Sequence, residues 1–328
     1  MEGFRMKIAI VGTGAFGTAI GNVLLKNGHK VHFYGVDQKE ISDLKAGYNT
    51  KYFDGAKLHR KPDLVTNKIA EAITGVDYII LGVPAAACHN VLQQIVGVQR
   101  NSKVNIVNLA KGCDPFTGDL LSKTLLRDFR DSVANYAILA GPSFAQEVFD
   151  GFLTMVNIAS KNDEFSNKVA RSLQSENFKI IKSSTMDELQ TYSIMKNVYA
   201  LATGIVNAVY ESYNTLTSVL ALAFKETTRY VLETQSRAHA EVDFASFGDF
   251  VLTGTSFKSR NYTFGYEIGK IGLAKALKKH NNITTEGYHT LEKIVKKLGS
   301  EINKYPLLFS LYQVCFMSKP ADKLLDFL

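Results

Sequence analysis

Residues 7–17, Lys7-Ile8-Ala9-Ile10-Val11-Gly12-Thr13-Gly14-Ala15-Phe16-Gly17, decide the fold. An apolar run of strand length passes directly into three glycines spaced Gly-x-Gly-x-x-Gly. The amphipathic stretch Gly17–Lys26 follows, with Ile20, Val23 and Leu24 on one face. Each glycine has its own task in such a strand–turn–helix. Gly12 permits the tight turn, Gly14 lets the backbone approach a pyrophosphate, and Gly17 lets helix and strand pack closely. The helix N-terminus then offers free N–H groups and partial positive charge to phosphates. A glycine-rich turn alone is a weak signal. Here it sits directly after one strand and before a second, Val31–Tyr34, which makes it a dinucleotide site. Asp37 follows that second strand. It is placed either to accept from the adenosine ribose, repelling a 2′-phosphate, or to cap a helix from Gln38.

Working outward, further β-rich runs occur at Leu64–Thr66, Tyr78–Val83, Val104–Leu109, Ala137–Ala140, Met155–Ala159 and Phe178–Ile181. Helical patterns alternate with several of them. This predicts an α/β domain with a doubly wound, mostly parallel sheet of Rossmann type. After about Ser184 the pattern turns helical, at Met186–Tyr210, Leu216–Glu233, Ile268–Lys279 and from Glu286 onward. The expected organisation is a dinucleotide-binding domain over 1–184 and an all-helical catalytic domain over 185–328.

The 328 residues carry a net charge of +7 at 46% hydrophobic content, enough apolar material for two cores. That mild excess suits an anionic ligand, but no basic stripe interleaved with aromatics points to nucleic acid. Cys88, Cys113 and Cys315 fit no disulfide framework or metal spacing, so a reducing, cytoplasmic setting without a metal is expected. Neither a signal peptide nor a membrane span is expected.

Ligands in open α/β sheets bind beyond the carboxyl ends of the strands. Lys111 follows the strand Val104–Leu109, and Gly141-Pro142-Ser143-Phe144-Ala145-Gln146-Glu147 follows Ala137–Ala140. Lys196-Asn197 lies within a very apolar helix, where an unpartnered ammonium is costly unless it snorkels outward. Asp249, Thr253, Ser259, Arg260 and Asn261 complete an inventory of cations, amides, hydroxyls and one carboxylate.

In that order and spacing the chain resembles the bacterial-type NAD(P)-dependent glycerol-3-phosphate dehydrogenases. The resemblance rests on Gly12–Gly17, Ala110-Lys111-Gly112, Gly141–Glu147, Lys196-Asn197-Val198, Gly248-Asp249 with Leu252-Thr253, Ser259-Arg260-Asn261, and Glu286-Gly287. It implies reversible reduction of dihydroxyacetone phosphate to sn-glycerol 3-phosphate by NADH or NADPH, supplying phospholipid synthesis, in a homodimer. Lys196 matches the family's proton donor and acceptor, with Lys111 and Asp249 beside it in the catalytic set. Lys111, Gly141, Ser143, Lys196, Asn197, Asp249, Thr253, Ser259, Arg260 and Asn261 match substrate positions. Ala15, Phe16, Lys111, Ala145, Arg260, Thr284 and Glu286 match cofactor positions, joining Gly12, Gly14, Gly17 and Asp37.

The chemistry agrees with this. Negative charge builds on a carbonyl oxygen as hydride arrives, and a nearby ammonium can answer it with a proton. A free lysine titrates near about 10.4. Burial and Lys111 are therefore expected to lower that value, with Asp249 orienting the ammonium and partly opposing the shift. Departures from the family pattern include Ser246-Phe247-Gly248-Asp249 for Gly-Leu-Gly-Asp, Gly254 for the usual Cys, and the glycine-poor Ser212–Leu216. Val36 replaces a residue that is often basic in the family and Asp37 follows it, so NADH is expected over NADPH. Two alternatives stay open: a related two-domain reductase acting on a carboxylate substrate, and a nucleotide sensor that has lost catalysis.

Overall fold

The computed structural model describes residues 5–100, 102–183, 185–235, 238–281 and 285–328. Two compact units emerge, one comprising Met1–Pro115 and Leu121–Leu189, the other Phe116–Leu120 and Gln190–Leu328.

The first unit holds strands β1 (Lys7–Val11), β2 (Lys30–Tyr34), β3 (Leu64–Thr66), β4 (Tyr78–Leu81), β5 (Val104–Asn108), β6 (Val133–Ala140), β7 (Thr154–Ser160) and β8 (Phe178–Lys182). They form one sheet in the order β3-β2-β1-β4-β5-β6-β7-β8. Pairing is parallel throughout except at β6 and β7, where Ala140 lies opposite Asn157 and the direction reverses. Ile8, Ala9, Ile10 and Val11 are all fully buried, as a central strand covered on both faces must be. Ile10 pairs with Phe33 on one side and Ile80 on the other. Helices α1 (Ala15–Lys26), α2 (Gln38–Ala46), α3 (Thr50–Phe53), α4 (Ile69–Ile73), α5 (Ala85–Val98), α6 (Leu121–Asp128), α7 (Ala145–Phe149) and α8 (Asp163–Leu173) belong to this unit.

The second unit is helical. Its elements are α9 (Met186–Tyr210), α10 (Tyr213–Thr234), a π-helical turn at Phe244–Gly248, α11 (Asp249–Thr255), α12 (Arg260–Ile271), α13 (Leu273–Lys279), α14 (Glu286–Leu298) and α15 (Pro306–Phe316), with 3-10 turns at Gly299–Lys304 and Ala321–Lys323. From Gln190 to Val206, α9 is buried on every side, the mark of a helix at the centre of its unit. It meets α12 at backbone distance. A Cβ at Gly204 would fall 2.1 Å from the Tyr262 carbonyl oxygen, and one at Gly265 2.1 Å from that of Leu201. Glycine at these places is a packing requirement, and it outweighs the intrinsic cost of glycine in a helix.

One expectation is overturned. The apolar pattern across Ile268–Lys279 is not one helix, because Gly272 adopts φ +79 and ends α12 before α13 begins. Side-chain spacing carries on across the break, so the pattern concealed it.

Candidate functional site

In the first unit, residues from separate segments converge on the glycine turn. Gly12 has φ +119, and a Cβ there would fall 2.4 Å from the Gly82 carbonyl oxygen. A Cβ at Gly17 would meet the Gly12 carbonyl oxygen at 2.5 Å, whereas at Gly14 nothing lies within 4 Å. The turn is thus closed by the fold at Gly12 and Gly17 and open at Gly14, leaving the space a pyrophosphate needs. Thr18 N bonds the Gly14 carbonyl and starts α1, with Ala15 and Phe16 in its first turn.

Lys111 arrives from the segment after β5, its Nζ 5.9 Å from the centroid of the Phe16 ring. Upstream, the Asn108 carboxamide oxygen accepts from Ala110 N at 3.0 Å and fixes that turn. Gly141 is closed by Val156, whose Cα would lie 2.8 Å from an added Cβ. Ser143 Oγ donates back to the Gly141 carbonyl at 3.0 Å. Ala145 then opens α7. Asp37 does cap α2, its Oδ1 accepting from Lys39 N at 2.9 Å and Glu40 N at 3.2 Å. Its other oxygen pairs with Lys51 at 3.0 Å.

The second unit holds a buried ion pair of its own. Lys196 on α9 is bonded through Nζ to Asp249 Oδ2, and each side chain exposes 2% of its surface. Lys196 therefore does not snorkel; it is held inside. Asp249 opens α11 directly after the π-helical turn, and Thr253 Oγ1, one turn on, donates to Asp249 Oδ1 at 3.4 Å. The Asp243 side chain and Ser246 hydroxyl form a reciprocal capping box that holds the preceding turn.

Elsewhere in this unit, Ser259 caps α12 by accepting from Tyr262 N at 3.3 Å. Arg260 is the first residue of that helix and is exposed. Among the described residues its guanidinium has no carboxylate partner. A cation at a helix N-terminus opposes the macrodipole, so the position is unfavourable until an anion joins it. Asn261 is buried, its Oδ1 accepting from Gly287 N at 2.9 Å, which leaves its Nδ2 as a donor. Gly287 packs so closely that an added Cβ would lie 2.1 Å from the Asn197 carbonyl oxygen. The Glu286-Gly287 turn is thereby seated against Asn197 and Asn261. Thr284 lies outside the described residues.

Sequence reasoning missed the support beneath the glycine turn. Glu40, buried on α2, accepts from the Thr13 hydroxyl, from Lys51 at 2.6 Å and from Tyr52 Oη at 3.1 Å. Asn49 Nδ2 donates to the Thr13 carbonyl at 2.9 Å and to Thr18 Oγ1 at 3.0 Å. No motif links these positions, and only the fold brings them together.

Family models of the NAD-dependent glycerol-3-phosphate dehydrogenase N-terminus and C-terminus match residues 7–166 and 186–326. The chain belongs to this family. It is 33% identical to glycerol-3-phosphate dehydrogenase [NAD(P)+] of Malacoplasma penetrans, over 94% of this chain and 91% of that one. It is also 33% identical to the protein of the same name from Mycoplasma mobile, over 94% and 92% respectively. The crystal structure of glycerol-3-phosphate dehydrogenase from Coxiella burnetii shares the fold, with a TM-score of 0.87 at 24% identity over 99% of this chain and 98% of that one. Within the family setting, a dinucleotide-binding first unit and a helical second unit are the expected parts of an NAD(P)-dependent oxidoreductase. Among the described residues no helix is long and apolar enough to cross a membrane. Nor, among those residues, is any group of three or more His, Cys, Asp or Glu side chains placed to hold a metal ion.

Proposed function

We propose that this glycerol-3-phosphate dehydrogenase family member interconverts dihydroxyacetone phosphate and sn-glycerol 3-phosphate, using NAD(H) or NADP(H). The observation that carries the reading is the buried pair of Lys196 and Asp249. Two charges sealed from water are a poor way to stabilise a fold, since hydrophobic replacements often do as well or better. A buried ammonium with a fixed carboxylate partner is, by contrast, well suited to handling a proton.

A reduced nicotinamide, when bound, would supply the hydride that the carbonyl carbon requires. Lys196 Nζ then delivers a proton to the oxygen on which charge develops, and in the reverse direction withdraws it. Asp249 aims the ammonium, and Thr253 steadies Asp249. Arg260, with the free N–H groups at the start of α12 and the Asn261 amide, receives the substrate phosphate. Lys111, Gly141 and Ser143 are assigned to substrate, and Gly12, Gly14, Ala15, Phe16, Gly17, Ala145 and Glu286 to cofactor. Anchoring the phosphate away from the reacting carbon supplies orientation for the chemical step.

The physiological extension of this reading is a cytoplasmic homodimer that supplies glycerol 3-phosphate to phospholipid synthesis. The direct test is consumption of NADH or NADPH by pure, folded protein given dihydroxyacetone phosphate. Absence of turnover with both cofactors would refute the proposal.

A further inference from the structure

At the end of β2, where a Rossmann domain meets the adenosine ribose, the available side chains are unusual. Val36 is apolar and 78% exposed, so it brings no charge. Asp37 is not a lone carboxylate. Lys51 Nζ stands 3.0 Å from its Oδ2 and 2.6 Å from Glu40 Oε1. These two carboxylates hold the ammonium protonated, Glu40 foremost. The ammonium is still partly open to solvent, with 46% of the side chain exposed. Two of its three N–H groups go to Asp37 and Glu40, and the same Nζ lies 5.4 Å from the centroid of the Tyr52 ring. Lys39 lies on the same edge, its Nζ 3.2 Å from Thr50 Oγ1.

Lys51 is also rigidly placed. The segment that carries it is bonded to the glycine turn through Asn49, and Glu40 beneath it holds Thr13 of that turn. The ammonium is thereby tied, through these contacts, to the turn on which a cofactor would sit.

We propose that Lys51 is the residue that sets the 2′-specificity of this chain: it pairs with Asp37 and Glu40, with Lys39 as a second cation on the same edge, and its partly exposed ammonium meets the 2′-phosphate of NADP(H). The expectation of NADH drawn from Asp37 rested on a carboxylate whose charge stood alone to repel that phosphate, and the ion pairing with Lys51 weakens this premise. The inference rests on the dinucleotide part of the functional reading and not on the substrate part.

The test is therefore a binding measurement. Calorimetric titration at low salt compares adenosine 2′,5′-bisphosphate with adenosine 5′-monophosphate. The wild type should prefer the bisphosphate. Lys51→Gln should lose about tenfold in bisphosphate affinity, as one charge-assisted contact predicts, with the monophosphate changed less than about twofold. Lys51→Arg should keep the preference. Asp37→Asn leaves Glu40 on Lys51 and frees an N–H, so its preference for the bisphosphate should rise. An unchanged affinity ratio in Lys51→Gln, or equal loss of both nucleotides, overturns the proposal. Should that variant not fold, an unchanged ratio in Asp37→Asn overturns it instead. Failure of dihydroxyacetone phosphate turnover would leave these results untouched, which separates the two readings.

Discussion

Lys196 on α9 and Asp249 on α11 form an ion pair from which water is almost wholly excluded. Such a pair makes a distinctive prediction when its members are replaced together rather than singly. Lys196→Met alone should abolish turnover, since proton transfer from a positioned group is worth about 10²–10⁴-fold. It should also cost stability, roughly 3–5 kcal/mol, because Asp249 is left charged and buried. The double variant Lys196→Met/Asp249→Leu should regain much of that stability in urea unfolding and none of the activity. Recovery of both, or of neither, would remove the distinction drawn here between a functional and a structural pair.

Arg260 lends itself to a test of a different kind. It heads α12 with no carboxylate partner among the described residues, next to the Ser259 cap and the half-used Asn261 amide. Arg260→Ala should raise KM for dihydroxyacetone phosphate about tenfold or more. Its melting temperature should hold or rise slightly, since a cation is removed from a helix N-terminus. Steady-state kinetics with the phosphorylated substrate would check this. An unchanged KM would withdraw Arg260 from the phosphate site.

How much of this was legible beforehand follows from where each signal lives. The eight strands were readable because a sheet covered on both faces needs continuous apolar runs, and β1 with its glycine turn is nearly self-specifying. The partnership of Lys196 with Asp249 had no local signature. A lysine inside an apolar helix reads equally well as a snorkelling side chain, and only the packing of α9 against α11 decides. Gly204 and Gly265 read in sequence as weak helix positions, yet they are where α9 and α12 touch. Lys51 sits in the four-residue helix α3, whose place under the glycine turn depends on buried Asn49 and Glu40. Buried polar contacts of that sort are set by tertiary structure, so residue spacing does not announce them.

Glu226 gives a pH prediction. It is buried on α10, accepts from Tyr199 Oη at 2.6 Å, and caps α15 through Leu307 N at 2.9 Å and Leu308 N at 3.1 Å. Burial raises its carboxyl above the ordinary range, and the three hydrogen bonds only partly oppose this. The folded chain therefore binds this proton more tightly than the unfolded chain. The contribution to stability is full below the unfolded value and is lost as pH rises through the folded one. Glu226→Gln has no such proton. The stability of wild type relative to Glu226→Gln should fall as pH is raised from about 4 toward neutrality. Denaturant unfolding at several pH values would show it, and a flat or rising difference would contradict the assignment.

The glycine turn itself yields the sharpest separation between fold and function. Gly12 is closed by the Gly82 carbonyl and has a positive φ, while Gly14 faces open space. Gly12→Ala should thus destabilise the protein even without ligand, because a Cβ 2.4 Å from a backbone oxygen forces the strands apart. Gly14→Ala should leave the melting temperature of the free protein nearly unchanged. Its added methyl occupies the space left for a pyrophosphate, so affinity for NADH and NADPH should fall about tenfold or more while thermal stabilisation by either cofactor disappears. Melting curves of both variants with and without cofactor decide the matter. A Gly14→Ala protein that still binds normally would place the pyrophosphate elsewhere, and a Gly12→Ala protein as stable as wild type would show that the turn has room to relax.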